Sequence, residues 1–330
     1  MTSSTNAVAV ILRTKDRPEF LDRALADIAA QSFSDFTVVV VNDGGAPLDE
    51  AVLKRAHPLP NGSQLLLINN SESVGRADAC NVGLAATDSE FVVLHDDDDT
   101  WEPRFLELTV AFLRDPVNEV FAGVITRTNL VHEEVEDDGR ITVTSSEPFN
   151  PGLRRIDLID LAARNLFPPI SFLYRRSIHD LVGGYNPDLR VMMDWDFNLR
   201  LIRHRDIAIL DAPLANWHLR ESSTGAAANV TTTEGLRYEQ DRARLLNSLL
   251  RVDLDEGQFG LGVLVSLLHR IQRDGDVAEY LNGVLRAEAS RQGAELLHIR
   301  GTVESIEHTV NTRWRLLRAI RDRLLRRKEH

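Results

Sequence analysis

Cysteine is almost missing from this sequence: Cys80 is the only one in 330 residues. A single thiol excludes an intramolecular disulfide framework and a Cys-based zinc cluster. Long apolar runs are missing as well, and none approaches the roughly 20 residues needed to span a bilayer. The polar stretch Met1–Asn6 has no signal-peptide core, so a cytoplasmic protein is the default expectation. Positive charge is short, with 38 Lys+Arg against 50 Asp+Glu and a formal net charge of −12 at pH 7. That balance argues against general nucleic-acid binding. Glycine is missing where dinucleotide-binding folds need it most. The first strand–helix turn, Arg13-Thr14-Lys15-Asp16-Arg17, has none, so the G-x-G-x-x-G fingerprint is absent. Nor is there a G-x-x-x-x-G-K-[ST] phosphate loop. A nicotinamide oxidoreductase and a P-loop NTPase are therefore disfavoured.

What remains is an ordinary globular composition, 43% apolar and 27% charged, long enough for one large domain or two smaller ones. Val8–Leu12 is a continuous apolar run that reads as a strand buried on both faces. Pro18 then opens a helix with Phe20, Leu21, Ala24, Leu25 and Ile28 on one side. Strands over Phe36–Val41, Leu65–Ile68 and Phe91–Leu94 alternate with a helix over Gly75–Ala86, which predicts a parallel sheet with right-handed crossovers. The strand ends carry acid: Asp16, Asp43 and the run Asp96-Asp97-Asp98-Asp99. Adjacent carboxylates repel one another, so such a run is expected either fully solvated or gathered around a cation. Hard divalent cations take oxygen ligands, and open α/β sheets bind ligands beyond the C-terminal ends of their strands. The position favours a site over a solvated turn.

Further on, a helix over Pro103–Leu113 and a strand over Val120–Thr126 precede an acidic excursion, His132–Asp138, read as a surface hairpin or a flap. Ile156–Ala163 reads as a helix and Ile170–Tyr174 as a strand; Asp194 opens a buried helix, where it is either an N-cap or a functional carboxylate. Strands over Ile207–Leu210 and Leu214–Trp217 end at His218, and the small, polar Ser222–Asn229 marks a boundary. The last forty residues repeat Leu296, Val303, Val310, Leu317 and Leu324 every seven, a coiled-coil pattern that predicts self-association. Arg313 to Lys328 is also basic and amphipathic, which suits an anionic membrane surface as well as a solvated coiled-coil flank. The expected division is 1–225, an α/β catalytic domain; 226–290, a helical extension; and 291–330, the basic coiled-coil tail.

Val8–Arg17, Asn42-Asp43-Gly44-Gly45, Asn81-Val82-Gly83, Asp96 through Trp101-Glu102-Pro103, Gly183-Gly184-Tyr185 and Asp194-Trp195-Asp196 stand in the order found in family 2 glycosyltransferases, which the chain resembles over roughly residues 7–220. The resemblance implies a GT-A fold, an α/β architecture with a mostly parallel central sheet. It also implies inverting transfer of a sugar from a nucleotide-diphosphate sugar, UDP-linked by preference, to a glycan or lipid-linked hydroxyl in surface polysaccharide synthesis, with Mn²⁺ or Mg²⁺ as cofactor. By the same resemblance Asp43 recognises the base, Thr14 and Asp16 lie in the first nucleotide-facing loop, and Asp96 and Asp97 support the nucleotide. Asp98 and His218 would hold the metal, and Asp194 would be the catalytic base. The chain departs from the family's common pattern at Met193, Lys15 and Cys80, and Arg76 is placed to supply the positive charge that Cys80 does not. A sugar-nucleotide nucleotidyltransferase and a catalytically silent coiled-coil scaffold are the alternatives.

Overall fold

A computed structural model of the chain describes residues 6–136, 140–220, 235–257 and 262–269, with a few further positions between 260 and 318. It divides into two compact units, the first comprising Met1–Leu161 and Asn165–Asn247, the second Ala162–Arg164 and Ser248–His330. The expected boundary at 225/226 falls outside the described residues. So do the heptad run and the basic tail, apart from Val310, Trp314, Arg315 and Arg318. Among the described residues no helix is long and apolar enough to cross a membrane.

The first unit is built on a nine-stranded sheet. Strand β1 (Val8–Thr14) is buried at all seven positions, as its unbroken apolar run requires. It lies between β2 (Phe36–Asp43) and β4 (Phe91–Asp96), parallel to both, and β3 (Gln64–Asn70) continues the parallel set beyond β2. Alternate residues of β1 serve opposite faces. Val8, Val10 and Leu12 join Leu21, Ala24, Leu25 and Ile28 of helix α1 (Pro18–Ala29) in one core. Each of these Val, Leu and Ile side chains removed from water contributes about 1.5–3 kcal/mol. The other face receives helix α3 (Arg76–Ala85), which follows the short α2 (Glu50–Ala56). At Gly83 any Cβ would stand 2.7 Å from Ile11 Cγ2 and 3.1 Å from Val41 Cγ2, so only glycine lets α3 lie this close to the sheet.

Beyond β4 the sheet becomes mixed. Strand β8 (Phe172–Arg175) is antiparallel both to β4 and to β6 (Phe121–Val135). Strand β9 (Asp206–Leu219) runs parallel to β6 on its other edge, and the two-residue β5 (Thr100–Trp101) closes that side antiparallel to β9. The sequence suggests two short strands after Asp206; the structure has one long strand whose register shifts carry it past Pro213. The expected surface hairpin is present, with β7 (Ile141–Phe149) antiparallel to β6 and exposed over most of its length. Helices α4 (Phe105–Arg114), α5 (Leu158–Ala163), α6 (Ile178–Val182) and α7 (Met193–Ile202) complete the body, and α8 (Gly235–Asp255) follows.

Candidate functional site

Strand β1 has β2 on one side and β4 on the other, so successive connections leave it in opposite directions. Open sheets form a ligand crevice beyond the strand ends at such a point. Here the crevice is a cavity of about 730 Å³, lined by Arg13, Thr14, Lys15 and Arg17 after β1, Asp43 after β2, the segment 73–79, Asp96–Asp98 after β4, and Pro187, Leu189 and Arg190.

Asp43 ends β2 at the cavity wall. Its Oδ1 accepts from Val74 N at 2.8 Å and Asn70 Nδ2 at 3.1 Å, and its Oδ2 from the Ser73 hydroxyl at 2.8 Å and Gly75 N at 3.1 Å. A carboxylate has about four acceptor positions, and these four donors fill them. Burial alone would raise its pKa; the four bonds outweigh it and lower the pKa. The turn that brings Ser73 against Asp43 depends on Gly44, whose φ is +74° and whose absent side chain would collide with the Ser73 backbone. Asp16 does not line the cavity. It is exposed, with φ +51°, and its Oδ1 accepts from Ala46 N at 2.8 Å, tying the β1–α1 loop to the loop after β2. Arg76, exposed at the start of α3, faces the cavity and offers its carbonyl to Arg13 at 3.5 Å.

The aspartate run is neither solvated nor left to repel itself. Arg13 pairs with Asp96, and Thr14 Oγ1 donates to Asp97 Oδ2 at 2.8 Å. Arg17 bridges Asp97 Oδ1 at 2.9 Å and Asp98 Oδ2 at 2.8 Å, and Arg220 reaches the same Asp98 oxygen from the interior. Arg23 donates to the Asp98 carbonyl at 2.5 Å, and Asp99 Oδ1 accepts from His218 N at 3.0 Å. Behind the run stands Glu133, 3% exposed, which holds Arg23 at 2.6 Å, His218 Nδ1 at 2.6 Å and Arg220 at 3.0 Å. The three guanidiniums surround one ring: Arg17 and Arg220 lie 4.5 Å from the Phe20 centroid and Arg23 lies 5.6 Å away. Burial works against a charged Asp98, yet Arg17 and Arg220 prevail and hold its pKa at about 2. Burial and the Asp98 charge push Asp97 the other way, to about 7. Glu133 is held at about 2 by His218 and Arg23 against its own burial.

Arg17, which lines the cavity, and Arg220 and Glu133, which back the aspartate run, are candidate-site residues that the sequence reading misses. Strand alternation offers a signal for one of them: Glu133 shares a face of β6 with buried Val131, two residues earlier. Arg220 lies one residue beyond the end of β9 and is not reached by that pattern. Arg17 has no such signal; it occupies the N-cap position of α1 but makes no capping bond.

His218 does not line the cavity. Its Nδ1 faces Glu133 and its Nε2 lies 2.8 Å from Thr100 Oγ1, so serving a metal would require giving up one of these partners. Asp194 lies in the first turn of α7, one residue inside the helix rather than at its N-cap. Its Oδ2 accepts from Asn165 Nδ2 at 2.7 Å, and burial raises its pKa while Asn165 and the Trp195 amide pull it down. It lines a separate cavity of about 10 Å³ with Leu94, Phe172, Tyr174 and Phe197. Asp196 pairs with Arg200 at 2.7 Å within the same helix. Asn81 links two distant motifs: its side chain exchanges bonds of 2.8 and 2.9 Å with the Tyr185 backbone. Cys80 is fully buried, which pushes its thiol up to about 12 and leaves it an inert core residue.

Divalent-cation chemistry can be tested against these donors. Among the described residues no group of three or more His, Cys, Asp or Glu side chains forms a metal cage. Hard cations often bind through only one or two carboxylates together with substrate phosphates and water. The cavity-facing carboxylates of Asp96 and Asp98 fit that lesser requirement.

The model of glycosyl transferase family 2 matches residues 9–182, just over half of the chain. A protein of Bacillus subtilis (strain 168) named as an uncharacterized glycosyltransferase, YwdF, is 26% identical over 219 residues, covering 63% of this chain and 72% of that protein. A PGL/p-HBAD biosynthesis glycosyltransferase of Mycobacterium bovis is 31% identical over 196 residues, covering 58% and 68%. Among solved structures, the mannosyltransferase PcManGT of Pyrobaculum calidifontis, in complex with GDP-Man and Mn2+, has a TM-score of 0.58 at 16% identity, covering 97% of this chain and 87% of that one. Staphylococcus aureus TarS in complex with UDP-GlcNAc has a TM-score of 0.53 at 17% identity, covering 94% and 91%. The sheet order and its mixed half are those of the GT-A fold. The chain is a glycosyltransferase and belongs to glycosyl transferase family 2.

Proposed function

We propose that the protein transfers a sugar, with inversion, from a nucleotide-diphosphate sugar to a hydroxyl of a glycan or lipid-linked acceptor in surface polysaccharide synthesis. The observation that carries this reading is the 730 Å³ cavity at the β1/β4 switch point, which places Asp43, Arg76 and Asp96–Asp98 around one space of nucleotide size. The likeness to structures solved with UDP-GlcNAc and with GDP-Man and Mn2+ supports a nucleotide-sugar donor.

In this reading the base lies against Asp43, which exchanges the bond from the Ser73 hydroxyl for one from the base. Thr14 and Asp97 hold the ribose side, Asp16 braces the first loop, and Arg76 at the start of α3 faces the diphosphate. Asp98, supported by Asp96, would hold Mn²⁺ or Mg²⁺, with His218 brought in beside it. When bound, such a cation offsets charge on the departing diphosphate as a Lewis acid. Asp194 would accept the proton of the acceptor hydroxyl as it attacks the sugar face opposite the diphosphate, which requires its small separate cavity to open to the donor space. Burial raises its pKa, the direction that strengthens a carboxylate as a base.

Asp194→Asn is expected to lower transfer by about 10²–10⁴-fold while leaving calorimetric nucleotide binding unchanged. Transfer near the wild-type rate would remove Asp194 from this role.

A further inference from the structure

Two cations share the Asp98 carboxylate, and they are held very differently. Arg220 is fully buried and fixed from behind by Glu133 and the Phe20 ring. Arg17 approaches from the cavity, which its side chain lines. It spans Asp97 and Asp98 with one nitrogen on each, at 2.9 and 2.8 Å, and is 16% exposed. A divalent cation entering from the cavity would meet the Asp98 carboxylate at about 2.0–2.1 Å for Mg²⁺-like ligation. That places it against a guanidinium already in hydrogen-bond contact with the same oxygen. The two positive charges compete for one carboxylate in a poorly screened site.

We infer that Arg17 guards Asp98: among the arginines paired with the aspartate run it is the one that spans Asp97 and Asp98 from the cavity side, and a divalent cation binds there tightly only when a diphosphate draws Arg17 off Asp97 and Asp98. Arg17 is suited to both states. It sits in the β1–α1 loop at the cavity wall, its guanidinium matches phosphate oxygens as well as carboxylates, and the Phe20 face gives it a platform at the cavity wall. The nucleotide and the cation then bind with positive coupling, each tightening the other by the same factor. Cation alone binds weakly. This rests on the reading of Asp98 as a metal-holding residue.

The test is calorimetry of Mn²⁺ with the full-length chain, alone and with saturating UDP or GDP, on wild type, Arg17→Gln, Arg17→Lys and Arg190→Gln. Arg190 lines the same cavity but has no part in the aspartate bridge, so its variant reports the general loss of one positive charge. Without nucleotide, Arg17→Gln is expected to bind Mn²⁺ at least about tenfold more tightly than wild type, a difference of about 1.4 kcal/mol. Arg17→Lys, which keeps a charge but loses the two-pronged bridge, falls between them. It also serves as the measurable variant if Arg17→Gln does not fold. Arg190→Gln stays within about twofold of wild type, and nucleotide tightens Mn²⁺ on wild type far more than on Arg17→Gln. Equal Mn²⁺ affinity of wild type and the Arg17 variants overturns the inference while leaving Asp98 as a metal residue. An Arg190→Gln effect as large as that of Arg17→Gln also overturns it. Absence of Mn²⁺ binding in every variant, even with nucleotide, overturns both the inference and the metal reading.

Discussion

Asp43 shows how a residue can be legible in type and illegible in detail. Its place at a strand end before two glycines marks it as a site residue, and it does line the cavity. That its carboxylate is filled by Asn70, Ser73, Val74 and Gly75 depends on a loop about thirty residues away. Replacing it with Asn removes a charge-assisted acceptor from two backbone amides, and a loss of about 1–3 kcal/mol in urea denaturation at pH 7 is expected. The pH dependence has a definite sign. The folded pKa lies below the unfolded value, so the stabilisation is complete above the unfolded pKa of about 3.9 and is lost as pH falls through the folded one. The gap between wild type and Asp43→Asn should therefore hold through neutral pH and close below about pH 4. A gap that stays constant to pH 3 would refute the assignment. The aspartate run poses the same problem more sharply. The sequence offers solvent or a metal as the remedy for its repulsion, whereas the fold supplies arginines separated from it by 81 and 122 positions.

At the scale of elements, periodicity served well where an element is buried in a simple way. Strand β1, helix α1 and strand β4 appear close to where their apolar patterns place them. It failed where an element owes its form to neighbours. Strand β6 runs nine residues past Thr126 because β7 and β9 pair with it there, and the polar residues of that stretch mask the strand in the sequence. Helix α8 falls within 226–290, read as helical, but its attachment was not legible. Asp241, 2% exposed, accepts from Arg190 N at 2.6 Å and Val191 N at 3.1 Å, so α8 clasps the loop that carries Pro187, Leu189 and Arg190 to the cavity. Bonds to a charged acceptor are worth about 1.5–3 kcal/mol, which is roughly tenfold to a hundredfold in local opening. Asp241→Ala should release the Arg190 and Val191 amides to hydrogen exchange by about that factor while β1 and β4 remain protected. Unchanged exchange at both amides would show that the clasp is not formed in solution.

For the molecule as a whole, the strand–helix alternation made the parallel set β3-β2-β1-β4 legible, but not the order β4-β8-β6-β9 beyond it. That order inserts a late strand between two earlier ones, and only long-range packing specifies it. Charge is also a whole-molecule property. The net charge is −12, and the cavity lining is balanced, with five basic residues facing five acidic ones. An anionic nucleotide therefore approaches against the net negative charge of the chain, and the cavity lining adds no net positive charge to offset it. Its association rate, followed by stopped-flow between low and physiological salt, should rise as ions screen that repulsion. A rate that falls with salt would mean that the local arginines dominate.

The full burial of β1 bears on how the chain can vary over time. Arg13 stands opposite Asp96 in the register with β4, and Thr14 stands opposite Asn42 in the register with β2. Removing one residue from these seven would exchange the two faces of the strand for everything on one side of the gap. Either Val8, Val10 and Leu12 would leave the core shared with α1, or Arg13 would be driven into it. Substitutions can accumulate one at a time at such positions, whereas an insertion or deletion has no partial form and no neighbour able to correct it. Changes in length are thus expected in the connecting loops, and the seven-residue spacing from Val8 to Thr14 is expected to stay fixed.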